Sequence, residues 1–234
     1  MHYLLLGFAP GLYWLWYFYK WDELEPEPKK LVFISYFLGI LSAALVIFIN
    51  VPFKLNYFVG AVITAPILEE LAKFLMVWAY LYRNKNFSEP MDGIVYAAAV
   101  ALGFASIENG LYLFRINQQA QSMLSNVILI RAIFSVPAHV LFSSVWGYAL
   151  GRYKFDKKKN RFIVLYGLLL AMLLHGLFNF LCLIQIFSSF GLLILTAVMW
   201  MLINKKIRRA EKDSPYAPRS FLGWKKKRKI KEKK

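Results

Sequence analysis

Three glutamates, Glu69, Glu70 and Glu108, and two histidines, His139 and His175, sit inside long apolar runs of this 234-residue chain, while its other acidic residues lie between the runs or near the C-terminus. A charge at the centre of a membrane helix costs about 2.5–3.5 kcal/mol, so three ionised carboxylates facing lipid would cost roughly 7–10 kcal/mol, as much as a typical net folding stability. These groups must be paired, neutral or turned toward a hydrated interior. Carboxylates and imidazoles gathered around water support two chemistries: activation of that water for hydrolysis, and relay of protons along a membrane path. No serine or cysteine has an evident base beside it, and a single cysteine, Cys182, excludes an internal disulfide or a cysteine-built metal cluster.

Spacing adds detail. Lys73 is i,i+4 from Glu69 and i,i+3 from Glu70, so it can reach either carboxylate, and the adjacent glutamates project about 100° apart. His175 and Asn179 share a helix face, with Gly176 leaving room for a neighbouring helix or a peptide. Glu108 and Tyr112 are also i,i+4 and could hydrogen-bond; Arg131, Ser135 and His139 step by four, with Arg131 near an outer end where its side chain could snorkel. At about 1.5 Å per residue, Glu69 and His139 each lie about 18 Å, and His175 about 14 Å, below the same end of their runs. Two histidines and one carboxylate (His139, His175 and either Glu69 or Glu70) match a catalytic zinc ligand set with an open position. The chain has no His-Glu-x-x-His stretch, and a metal-free version uses the same residues.

The elements that must hold them follow from composition. The chain is 59% hydrophobic and 18% charged, with a mean hydropathy of +0.47, which excludes ordinary soluble domains. With 18% aromatic residues, it is not intrinsically disordered. Runs at roughly 2–19, 31–50, 57–82, 94–114, 127–151, 162–184 and 187–203 each suit one crossing, which predicts an all-α, polytopic membrane protein of about seven transmembrane helices. The only turn signals for the last division are Gln185, Ser188, Ser189 and Gly191, and a six-span chain would strand the fourteen tail charges outside. The first run lacks a preceding positive segment and reads as a span, not a signal peptide. Lysine and arginine crowd alternate loops: Lys20, Lys29 and Lys30, then Arg83 and Lys85, then six within 152–161 and fourteen after Asn204, against Lys54 and Arg115 on the other side. This bias predicts an outside N-terminus and a cytoplasmic C-terminus. The helical bundle is expected over 1–204, with a functional core at about 57–184. Residues 205–234 read as a basic, disordered cytoplasmic tail. The net charge of +16 sits in the 152–161 loop and this tail, where it suits anionic lipid headgroups, with Phe221 and Trp224 as interfacial anchors, and not nucleic acid.

In order along the chain come Glu69-Glu-Leu-Ala-Lys73, Asp92-Gly93, Gly103-Phe-Ala-Ser-Ile-Glu108-Asn109 with Tyr112, Arg131, Pro137-Ala-His139 with Gly147, and His175-Gly-Leu-Phe-Asn179. In these pieces the chain resembles the PrsW family of intramembrane proteases and, more distantly, the CAAX-processing endopeptidases. The resemblance implies a peptidase of a bacterial plasma membrane that makes the first cut in a single-span anti-sigma factor during envelope-stress signalling. It points to Glu69 or Glu70 as the base, His139 orienting it, and His175 with Asn179 at the oxyanion, while Lys73, Glu108, Tyr112 and Arg131 support them. Two other readings stand beside it: a proton- or ion-coupled transporter, and a non-catalytic membrane scaffold.

Overall fold

The computed structural model describes residues 2–50, 56–156, 159–184 and 188–218. Among these residues seven helical segments follow one another: α1 (His2–Tyr19), α2 (Lys29–Asn50), α3 (57–81), α4 (Asp92–Gln119), α5 (Gln121–Phe155), α6 (Phe162–Ile184) and α7 (Ser188–Lys212). Among the described residues there is no strand. Each segment coincides with one apolar run. Helices are the form an apolar run takes in lipid, because each satisfies its own backbone hydrogen bonds. Five of them, α2, α4, α5, α6 and α7, are long and apolar enough to cross a membrane.

Helix α4 is the central post, 83% buried over its most apolar window, with α1, α2 and α5 packed around it. Its small residues permit this. At the α2–α4 crossing Gly39 meets the Val100 carbonyl and Gly103 meets the Tyr36 carbonyl so closely that a Cβ on either glycine would collide with the other backbone. Helices α6 and α7 are only 28% and 17% buried and turn leucine and phenylalanine outward, as lipid-facing walls do.

Helix α7 runs eight residues past Asn204, because Ile207 and Ala210 still pack inward and 205–212 holds good helix formers. The division between the last two helices falls at 185–187, outside the described residues, as do Phe221, Trp224 and the Lys225–Lys234 run. The 20–28 segment between α1 and α2 is folded against the bundle, with Asp22 and Glu27 buried.

Candidate active site

Two wide turns set up the site. Within α3, Gly60–Thr64 is a π-turn in which the Ala65 N–H bonds to the Gly60 carbonyl. The Ala61 carbonyl then has lost its usual partner, and the next residue in line, Pro66, carries no N–H. Asn179 on α6 fills the gap: its Nδ2 donates to the Ala61 carbonyl at 2.9 Å. One residue along, a Cβ on Gly176 would lie 2.5 Å from the Val62 carbonyl oxygen, so only glycine lets α6 approach here. Helix α5 repeats the device. In the π-turn Arg131–Ser135 the Val136 N–H bonds to the Arg131 carbonyl, Pro137 follows, and the stranded Ala132 carbonyl accepts from Trp14 Nε1 of α1 at 2.8 Å. Each device lies one turn before the groups it aims, Glu69 and Glu70 on α3 and His139 on α5.

Those groups converge. Lys73 Nζ lies 2.8 Å from Glu70 Oε1, 3.7 Å from Glu69 Oε2 and 3.1 Å from His139 Nδ1, over the Phe104 ring at 4.3 Å. Glu70 is wholly enclosed: Oε1 also faces His175 Nδ1 at 3.2 Å, and Oε2 accepts from Ser143 Oγ at 2.8 Å and Trp146 Nε1 at 3.0 Å. The ring of Phe142 stacks on His175, with centroids 4.6 Å apart. Glu69 differs. Its Oε2 is buried with no hydrogen-bond partner, 3.8 Å from His175 Nε2. Its side chain lines a cleft of about 350 Å³ together with Glu108, Ala43, Phe104, Tyr112 and Arg115.

Across the cleft, Glu108 Oε2 accepts from His139 Nε2 at 2.8 Å and lies 3.3 Å from Arg131. Arg131 does not snorkel: it also donates to Asn109 Oδ1 at 2.6 Å and covers the Tyr112 ring at 4.3 Å. Tyr112 thus meets its neighbours through its ring and the cleft wall. The sequence reading missed Ser143, Trp146 and Phe142, although Ser143 and Trp146 stand four and seven residues after His139, on its helix face. It also missed Trp14, for which no local signal exists.

A model of the family described as PrsW family intramembrane metalloprotease matches residues 27–203. The chain belongs to the PrsW family. Among its relatives are proteins named Protease PrsW from Geobacillus kaustophilus, 33% identical over 88% of this chain and 90% of the relative, and Clostridioides difficile, 32% identical over 97% and 98%. The Bacillus subtilis Protease PrsW is 34% identical over 74% of this chain and 79% of its own length. No solved structure matches. Membership in PrsW makes the chain a peptidase and a multi-pass membrane protein of bacteria, in place of the transporter and scaffold readings. The residues also fit the metal of the family description. One ligand atom each from Glu69, His139 and His175 falls within 4.8 Å of the others, and the unpartnered Glu69 Oε2 is an available donor.

Proposed function

We propose that this PrsW-family peptidase cuts a single-span membrane protein within or just outside the outer half of its span, with Glu69 as the group that takes the proton from water. The observation that carries the assignment is the contrast between two adjacent carboxylates: Glu70 is held on both oxygens, whereas Glu69 keeps a buried oxygen without a donor on the cleft wall. A general base needs a free lone pair within reach of water. Glu70 instead orients His175 by accepting at its Nδ1, which leaves His175 Nε2 turned toward Glu69 to pass the proton on to the departing amine. Lys73 offsets the charge of the glutamate pair, and His139 holds Lys73 from one side and Glu108 from the other. The Asn179 amide is committed to the Ala61 carbonyl, so it acts as a positioning residue for α3.

A divalent ion such as zinc, held by Glu69, His139 and His175 in place of the Lys73–His139 bond and the Glu69–His175 proton relay, would supply Lewis acidity toward water and the scissile carbonyl. By the rise per residue, the site lies about 14–18 Å below the outer end of its helices. A substrate helix must unwind to present an amide there, since helical amides are already hydrogen-bonded. An anti-sigma factor cut in envelope-stress signalling is the substrate this reading favours. Anionic lipids are the proposed contacts of the 152–161 loop and the basic tail.

Co-expression with a tagged single-span anti-sigma factor tests the reading. The wild type should release a fragment cut in the outer half of the span, and Glu69→Gln at equal expression should not. A cut mapped to the cytoplasmic half would overturn the placement.

A further inference from the structure

A second buried group of carboxylates lies far from the active site, about 24 Å along α4 from Glu108 at the helical rise per residue. Asp22 and Glu27 come from the segment between α1 and α2, Glu89 from the segment before α4, and Asp92 from the first position of α4. All four are buried, none more than 3% exposed. Each uses one oxygen in the same way. Asp22 Oδ2 accepts from the Glu27 N–H at 3.0 Å, and Asp92 Oδ2 accepts from the N–H groups of Ser88 and Glu89 at 2.5 and 2.8 Å. Glu27 Oε2 accepts from the Tyr96 hydroxyl, and Glu89 Oε2 from the Ser214 hydroxyl.

The other oxygen of each is different. Asp22 Oδ1, Glu27 Oε1, Glu89 Oε1 and Asp92 Oδ1 are buried with no hydrogen-bond partner. Among the described residues, the ion pairs of Lys73, Arg131, Arg152 and the two histidines do not reach this group. The nearby Lys154 donates to the Tyr82 carbonyl at 2.6 Å and lies over the Phe87 ring.

One oxygen each from Asp22, Glu89 and Asp92 falls within 4.8 Å of the others. Ligands on opposite sides of an ion at 2.3–2.6 Å are about 4.6–5.2 Å apart, so a single ion of that radius can touch all three. Oxygen-only carboxylate sets favour hard divalent ions and offer nothing to select copper or zinc.

The geometry points to a structural site for a hard divalent cation, held by Asp22, Glu89 and Asp92 with Glu27 beside them, that clamps the α1–α2 segment onto the start of α4 and, through Ser214, the segment after α7. The site is separate from the catalytic group and holds whether or not that group binds metal.

Manganese is the probe, because bound Mn²⁺ loses the six-line electron paramagnetic resonance spectrum of the free ion. Full-length protein in detergent, freed of metal by chelator, should bind Mn²⁺ saturably and melt several degrees higher with Mn²⁺ or Ca²⁺ than without. His175→Ala should keep this binding, whereas Asp22→Asn should weaken it at least tenfold. Glu89→Gln, whose amide keeps the side-chain shape, is the second variant should Asp22→Asn fail to fold. The proposal is overturned if the wild-type Mn²⁺ spectrum stays that of the free ion, if Asp22→Asn and Glu89→Gln bind as well as wild type, or if binding disappears in a folded His175→Ala protein.

Discussion

Glu69 and Glu70 are neighbours in the chain with opposite surroundings. Glu70 receives donors from Lys73, Ser143, Trp146 and the His175 ring, while Glu69 lines the cleft with an Oε2 that accepts no hydrogen bond. Their substitutions should separate accordingly. Glu69→Gln is expected to lower cleavage by about 10²–10⁴-fold, the span of general-base contributions, with a melting temperature close to wild type. Glu70→Gln should abolish cleavage and also destabilise by about 3–5 kcal/mol, because Lys73 stays buried without its closest anion. Thermal melts beside the cleavage assay distinguish the two. Metal analysis addresses the ligand role at the same scale. One bound zinc per chain, with cleavage lost on chelation and restored by zinc, is the expected outcome; full cleavage by metal-free protein would remove the metal from the mechanism.

At the scale of elements, the paired π-turns carry the design. Each has a proline five residues after the carbonyl it strands, and each stranded carbonyl takes a side-chain donor from another helix, Asn179 for Ala61 and Trp14 for Ala132. An unsatisfied buried carbonyl costs about 1–3 kcal/mol, so Asn179→Leu should destabilise by that amount and slow cleavage. Pro66→Ala returns an N–H to α3. The Asn179→Leu penalty should therefore shrink by about 1 kcal/mol in that background, a coupling that a double-mutant cycle reads directly. Gly176→Ala should be more damaging than a glycine-to-alanine change on an open helix face, since its Cβ would press on the Val62 carbonyl. The prolines and the His175–Gly176–Asn179 face were legible in the sequence, but the use made of them was not. Asn179 is 118 residues from the carbonyl it serves, and Trp14 is equally far from Ala132.

At the scale of the molecule, the helices wrap a buried α4 and present apolar walls outward. Phe18 stacks on Trp200, with centroids 5.6 Å apart, which fastens the last helix to the first. The bias of lysine and arginine then argues for an outside N-terminus, with the acidic cluster at the cytoplasmic end and the cleft nearer the outside. Cysteines introduced singly at Lys54 and Lys159, in a Cys182→Ser background, test this arrangement. An impermeant thiol reagent added to intact cells should label the first position and not the second, and the reverse pattern would invert the topology and the side of cleavage.

The chain's own pattern determined the helices and the residues that could do chemistry, because apolar runs of crossing length and ionisable groups within them are local features written in linear order. It also determined that Lys73 could reach both glutamates, which lie on its own helix. The tertiary structure alone decided which glutamate faces the cleft, that Arg131 turns inward to Glu108, and that Asp22, Glu89 and Asp92 from three separate segments meet at the far end of α4. Those outcomes depend on how helices distant in sequence are rotated and how closely they approach. Packing across the bundle sets both, and no spacing within a single helix encodes them.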